Sequence, residues 1–127
     1  MTNTTQSPLA GARGLGSAKT GVTHWWMQRV TAVALVPLTL WFVASLAAHL
    51  GADYASVMNW LTSPLSATLM MIYLAAIFYH AQLGLQVIVE DYVHTEFVKF
   101  ALIIGLQFAN TLLGVASIVS VFILLTG

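Results

Sequence analysis

The chain has 127 residues, of which 59% are hydrophobic and 6% are charged. A soluble domain carries about 25% charged residues. Too few charges are present here to form a water-soluble surface, so an ordinary globular enzyme is excluded. Disorder is excluded as well, because disordered chains are poor in apolar residues. The composition therefore predicts an integral membrane protein, and a net charge of zero gives no reason to expect a nucleic-acid partner.

Cysteine is absent from the chain. Without thiolates the chain cannot ligate an iron–sulfur cluster and cannot attach a haem covalently. A haem bound here would have to be held by other side chains.

Three uncharged stretches follow a polar tail. The tail covers residues 1–24, and the remaining residues 25–127 form one membrane-anchor domain with stretches at 30–50, 65–89 and 100–126. Each stretch is long enough to cross about 30 Å of hydrocarbon as a helix that rises about 1.5 Å per residue. An open sheet would leave backbone groups unpaired in lipid. The sequence therefore predicts an all-α membrane protein with three transmembrane helices.

The basic residues predict the orientation of these helices. Arg13, Lys19 and Arg29 precede the first stretch, and Lys99 lies in the linker before the third, whereas the linker 51–64 has no basic residue. Basic residues favour the cytoplasmic side of a membrane. We therefore expect the N-terminus and the second linker to be cytoplasmic.

His80 lies inside the second stretch, where ionisable residues are energetically expensive and often functional. A neutral histidine can also hydrogen-bond to a neighbouring helix, so a ligand role and a structural role both remain open. Gly84, Val87 and Asp91 follow on the same helix face. Gly84 removes a side chain one turn from the histidine. This leaves room for a flat macrocycle such as haem, although packing of small residues explains it equally well.

A haem at His80 would have one ligand from this chain. His24, His49 and His94 lie at or beyond the predicted membrane interfaces. Because a low-spin electron-transfer haem needs two axial ligands, the second would come from another chain. This hypothesis predicts a subunit of a larger complex, and it leaves open whether His24 or His94 contributes to haem binding or proton uptake.

Further candidate residues lie at the predicted cytoplasmic ends of the helices. Arg29 opens the first stretch and suits either a haem propionate or the lipid headgroups. Tyr92 presents a phenol that can donate to a carbonyl oxygen, and Asp91 beside it can relay protons. On residue type alone, an ordinary helix terminus explains Asp91 and Tyr92 as well.

The third stretch carries small and polar residues along one face. Such residues allow helices to approach closely and to form interhelical hydrogen bonds. We therefore expect helix packing, and no catalytic role, from Gly105, Gln107, Asn110, Gly114 and Ser117.

Two segments resemble the small hydrophobic membrane-anchor subunits of succinate dehydrogenase (respiratory complex II), especially the alphaproteobacterial ones. One segment is 80–84, with the sequence HAQLG, which is followed by Asp91 and Tyr92 at the spacing found in this family. The other is 21–32, with the sequence GVTHWWMQRVTA, at the entry to the first helix. The resemblance covers about residues 21–127, and the spacing of histidine, acid and tyrosine is fairly specific to the family.

The resemblance implies a specific assembly. The chain would pair with a larger cytochrome b anchor subunit in one helical bundle. Together they would hold an iron–sulfur subunit and a flavoprotein subunit on a bacterial inner membrane, rather than on a mitochondrial one. The complex would transfer electrons from succinate, in the tricarboxylic acid cycle, to ubiquinone in the respiratory chain, and this chain would not oxidise succinate itself.

The resemblance also implies roles for individual residues. His80 would be an axial ligand of a haem b shared with the larger anchor subunit, and Arg29 would lie near the propionates. Gly84 would permit close approach of the haem to the helix. Tyr92 would hydrogen-bond ubiquinone, and Asp91 would serve the same site and its proton uptake.

Two other functions fit the sequence. One is a small proton-translocating or transport subunit that uses His80 and Asp91 as a relay. The other is a purely structural membrane assembly subunit, in which His80 makes a packing hydrogen bond. Neither of these functions requires haem or quinone.

Overall fold

The computed structural model describes residues 15–127, with side chains described from residue 21. The regular structure in this range consists of helices, which we number α1 (Leu15–Ala48), α2 (Tyr54–Thr62), α3 (Pro64–Tyr92) and α4 (Glu96–Thr126). The helices α1, α3 and α4 are long and apolar enough to cross a membrane. The prediction of an all-α membrane protein with three spanning helices is confirmed.

The spanning helices extend beyond the uncharged stretches that predicted them. The largest extension is in α1, which begins at Leu15 rather than at residue 30. A helix that has formed propagates at little cost, so polar residues can continue it past the hydrocarbon. Polarity therefore marks the membrane boundary better than it marks the end of the helix. Residues 1–14 of the predicted tail lie outside the described residues.

The linker between the first two spans contains the short helix α2, which the sequence analysis did not predict. Asp53 caps it, because the carboxylate accepts a hydrogen bond of 3.0 Å from the backbone N–H of Ser56. Hydrogen bonds from Ser56 hold the pKa of the Asp53 carboxyl below its ordinary value. Gly51, with a φ of +78°, makes the left-handed turn that separates α1 from α2.

Aromatic rings attach α2 to the end of α1. The Trp60 ring of α2 stacks on His49 at a centroid distance of 4.8 Å and lies 6.4 Å from the ring of Trp41. His49 is oriented by a hydrogen bond of 2.8 Å from Nδ1 to the carbonyl oxygen of Ser45. These contacts fit the amphipathic character of tryptophan at a membrane interface.

The long helices alternate in direction. Thr31 of α1 contacts His80 of α3, whereas further along α1 the Phe42 ring lies 5.2 Å from that of Tyr73, earlier in α3. The two helices are therefore antiparallel, and the short connection 93–95 makes α3 and α4 antiparallel as well. The start of α1, the end of α3 and the start of α4 thus share one end of the bundle, which we call the N-terminal end. The opposite end carries α2.

Helix α3 is the centre of the bundle and packs against both α1 and α4. The buried apolar side chains of the described residues all belong to α3, namely Ala67, Met70, Tyr73, Leu83 and Val89. The outer faces of α1 and α4 expose large apolar side chains. Because these helices are long and apolar enough to cross a membrane, such faces suit lipid and the helices of other subunits.

The face of α4 that the sequence predicted to pack against another helix does so in part. The Asn110 amide donates to the carbonyl oxygen of Phe78 at 2.6 Å. Gly114 is buried, and a Cβ atom there would lie 3.1 Å from the Phe78 side chain. Gly105, by contrast, has nothing within 4 Å of a Cβ position. The packing prediction is confirmed for Asn110 and Gly114.

We expect replacement of Gly114 by valine to destabilise the α3–α4 pair. The added methyl groups would meet Phe78, and overpacking of this kind costs about 1–3 kcal/mol. Gly105→Val is the matched control, since it adds the same side chain to open space on the same helix. Thermal unfolding of the chain in detergent micelles, followed by circular dichroism, should give a lower midpoint for Gly114→Val than for Gly105→Val. Equal midpoints would contradict the packing role.

Candidate functional site

The interface between α1 and α3 brings His80 against Thr31. The Thr31 side chain is 8% exposed, and its Oγ1 lies 2.9 Å from His80 Nδ1. The same oxygen lies 2.7 Å from the carbonyl oxygen of Met27 and 3.1 Å from that of Gln28. The hydroxyl has one proton, which it donates to the preceding turn, as helical threonines do. Towards His80 the oxygen can then only accept, so Nδ1 carries the ring proton.

This hydrogen bond fixes the state of the second ring nitrogen. In the neutral imidazole, Nε2 has no proton and keeps a free lone pair. Among residues 21–127 no hydrogen bond reaches Nε2. Metal-bound histidines have this arrangement, with one nitrogen on the metal and the other donating to a protein acceptor. The Nε2 lone pair of His80 therefore has no hydrogen-bond partner among the described residues.

A groove of about 500 Å³ lies between α1 and α3 at the N-terminal end, one helical turn from His80. Gly84 forms part of its floor, and nothing in the described residues lies within 4 Å of a Cβ position there. Packing against the described residues therefore does not explain the glycine. The surface of α3 beside His80 is open to a flat group. The groove is lined by Gly21, His24, Trp25, Gln28, Arg29, Gly84 and Val87.

Two side chains in the groove carry buried polar atoms without partners. His24 Nε2 and Gln28 Oε1 are inaccessible to solvent and make no hydrogen bond among the described residues. An unsatisfied buried polar atom costs about 1–3 kcal/mol, so such atoms usually indicate a missing partner. An imidazole N–H can donate to a carboxylate, and the amide of Gln28 can turn its NH₂ group towards the same acceptor. A partner for these two atoms would have to come from outside the described residues.

Arg29 lies on the rim of this groove. Its guanidinium carbon is 5.2 Å from the centroid of the Trp25 ring, which is a cation–π contact. The side chain is exposed and forms no ion pair among the described residues. Its N–H donors therefore have no partner among the described residues.

Asp91 and Tyr92 lie at the end of α3 and are separate from this groove. Both side chains are exposed, Tyr92 by 78%, and neither forms a side-chain hydrogen bond within residues 21–127. Asp91 is eleven residues beyond His80, about 16 Å along the helix axis. The structure therefore does not bring Asp91 and Tyr92 together with His80, and a pocket around them needs residues from another chain.

A second groove, of about 260 Å³, lies between α3 and α4. Its lining includes Gln82, Gln107 and Asn110, and Gln82 Oε1 is buried without a partner. None of the residues predicted to bind haem or quinone lines this groove, which contains the packing residues Gln107, Asn110 and Gly114. His94 lies on the connection between these helices, where it is exposed and makes no side-chain hydrogen bond or ion pair among the described residues.

Roles for Thr31 and Gln28 are not evident from the sequence. Thr31 is one of three hydroxyl residues in the first uncharged stretch, together with Thr39 and Ser45. A hydroxyl inside a membrane span indicates an interhelical hydrogen bond. Which of the three faces His80 depends on how α1 packs against α3, and this is visible only in the structure.

Comparison with known proteins identifies the family. A family model described as the succinate dehydrogenase/fumarate reductase transmembrane subunit matches residues 3–114. The chain belongs to this family. The match covers all of the residues that form the groove, as well as Asp91 and Tyr92.

Curated relatives support the same family. The succinate dehydrogenase hydrophobic membrane anchor subunit of Rickettsia bellii is 35% identical over 122 residues, which are 96% of this chain and 98% of the relative. The subunit of the same name from Rickettsia conorii is 31% identical over 92% of this chain and 94% of the relative. That of Paracoccus denitrificans is 28% identical over 87% and 85%, respectively. No solved structure gives a significant match.

The succinate dehydrogenase anchor family accounts for the architecture described above. The predicted resemblance to alphaproteobacterial anchor subunits is confirmed. As a membrane-anchor subunit of an oxidoreductase complex, the chain functions beside other subunits. This fits a bundle whose outer faces are apolar and whose groove contains unpaired polar atoms.

Proposed function

We propose that this chain supplies an axial ligand to haem b and part of the ubiquinone-reduction site in a bacterial succinate dehydrogenase. It pairs with a larger cytochrome b anchor subunit, and both hold the flavoprotein and iron–sulfur subunits at the inner membrane. The N-terminal end of the bundle faces the cytoplasm. The observation that carries the proposal is His80, whose Nδ1 is bound to Thr31 and whose Nε2 is free.

The residues around His80 fit a haem. His80 Nε2 would ligate the iron, and the open helix surface at Gly84 would lie against the macrocycle. Arg29 would bind the propionates, together with the unpartnered side chains of His24 and Gln28. When bound, haem b supplies one-electron redox chemistry.

The second axial ligand would come from the larger anchor subunit. Within this chain His24 lies about two turns before Thr31 on α1, and His49 and His94 lie outside the spanning helices. His80 is therefore the one histidine at its depth in the bundle among the described residues. A haem shared between two chains would also link the two anchor subunits.

Asp91 and Tyr92 would form this chain's part of the ubiquinone site. The Tyr92 hydroxyl would donate to a carbonyl oxygen of the quinone. Reduction of a quinone consumes protons as well as electrons, and Asp91 would deliver protons from the cytoplasm. The exposure of both side chains suits a site that the iron–sulfur subunit completes. That subunit must deliver the electrons, because this chain has no cysteine to ligate a cluster.

The two alternative functions have less support. A proton relay from His80 to Asp91 would have to cross about 16 Å along α3. No chain of hydrogen-bonded side chains joins these two residues in the described part of the protein. A purely structural role would explain the contact with Thr31, but it would leave Nε2, the groove and its unpaired polar atoms without a purpose.

Replacement of His80 by leucine should remove or shift the absorption band of reduced haem b, because the iron loses an axial ligand. The measurement is a reduced-minus-oxidised spectrum of the purified complex. His94→Leu is the control, since His94 is an exposed histidine without a side-chain hydrogen bond or ion pair in residues 21–127. Succinate oxidation by an artificial acceptor, measured on the membranes, reports whether the complex has assembled. A normal haem spectrum in an assembled His80→Leu complex would exclude His80 as the ligand.

Replacement of Tyr92 by phenylalanine should slow quinone reduction. The loss of one hydrogen bond to the substrate, worth about 1 kcal/mol, corresponds to roughly a fivefold decrease in kcat/KM. Tyr54→Phe is the matched control, because Tyr54 is 80% exposed at the opposite end of the bundle. Oxidation of succinate by an artificial acceptor should be normal in both variants. Unchanged quinone kinetics in Tyr92→Phe would rule out the proposed role of Tyr92.

A further inference from the structure

We propose that Thr31 is a positioning residue for the haem ligand. Its hydroxyl sets the tautomer and the ring orientation of His80, and through them the reduction potential of the haem. This inference rests on the proposed function, since it takes His80 as an axial ligand. It adds a determinant of cofactor properties on a different helix from the ligand.

The Thr31 hydroxyl is held in place by its own helix. Its Oγ1 is 2.7 Å from the carbonyl oxygen of Met27 and 3.1 Å from that of Gln28, so the proton is committed to the preceding turn of α1. A β-branched side chain also has few rotamers in a helix. The lone pair that faces His80 therefore has a fixed position.

Because Thr31 is buried, its hydroxyl oxygen determines the orientation of the His80 ring. With 8% of the side chain exposed, water has little access to the hydrogen bond of 2.9 Å between Oγ1 and His80 Nδ1. A rotated His80 ring would leave its N–H group unpaired in apolar surroundings, which is unfavourable. The ring is therefore held in one orientation, with Nε2 as the atom that can reach the iron.

The same hydrogen bond affects the electronic properties of the ligand. A protein acceptor at Nδ1 raises the basicity of the metal-binding nitrogen. The Thr31 hydroxyl is polarised by its own donation to Met27, and this strengthens it as an acceptor. A more basic axial ligand favours ferric over ferrous iron. Loss of the Thr31 hydroxyl should therefore raise the midpoint potential of the haem.

The chain offers a matched control for this effect. Thr39 lies on the same helix, is exposed, and forms no side-chain hydrogen bond among the described residues. Thr39→Val therefore makes the same chemical change as Thr31→Val without touching His80. Thr31→Ser is the conservative variant, because it keeps the hydroxyl.

The test is a redox titration of haem b in the purified four-subunit complex, combined with electron paramagnetic resonance of the oxidised haem. We expect Thr31→Val to shift the midpoint potential upwards and to change the resonance positions, which report the orientation of the axial ring. Thr31→Ser and Thr39→Val should retain the wild-type values. A wild-type or lowered potential in Thr31→Val would overturn the inference.

Further outcomes separate this inference from the proposed function. If Thr31→Val does not assemble, Thr31→Cys takes its place, because a thiol is a weaker acceptor than a hydroxyl and should give a smaller upward shift. A wild-type potential in Thr31→Cys would then overturn the role of Thr31. Absence of haem b from the wild-type complex would overturn the proposed function and this inference together. Presence of haem b with no effect at Thr31 would overturn the inference alone.

Discussion

The hydrogen bond between Thr31 and His80 is the interaction on which the arrangement of the site depends. An imidazole inside a membrane has two polar nitrogens, and each needs a partner because lipid provides none. Thr31 satisfies one nitrogen from the neighbouring helix. The other makes no hydrogen bond among the described residues. The contact therefore joins α1 to α3 and leaves the lone pair of Nε2 free.

Several features of the bundle suit a subunit of a larger membrane complex. Its buried apolar side chains belong to the central helix α3, whereas α1 and α4 turn large apolar faces outwards. His24 Nε2 and Gln28 Oε1 are buried without partners, and Asp91 and Tyr92 at the end of α3 are exposed and form no side-chain hydrogen bond in the described residues. Membership of a family of membrane-anchor subunits gives a common explanation, because other subunits can cover these faces and complete these sites.

Much of the fold follows from the distribution of hydrophobic and charged residues. Uncharged stretches of sufficient length predicted three spanning helices, and successive helices that cross a membrane must alternate in direction. The helix α2 was not predicted, because it depends on the capping of its first turn by Asp53 rather than on a long apolar run. The early start of α1 was missed because polar residues can continue a helix beyond the membrane.

The site was predictable where a residue type is unusual for its surroundings. His80 is conspicuous in a membrane span, and Gly84 one turn away suggested an open helix surface. Thr31 could not be selected over Thr39, since helical periodicity does not determine which face of α1 meets α3. Gln28 was missed because an amide near a helix entrance is ordinary, and only its burial distinguishes it.

An experimental structure of the complete complex isolated from the membrane would test the role of His80 directly. We expect an iron atom bonded to His80 Nε2, with Nδ1 of the same ring within hydrogen-bond distance of Thr31 Oγ1 and the propionates near Arg29. An iron atom ligated without His80, or a His80 ring whose Nδ1 faces an acceptor other than Thr31, would contradict this expectation.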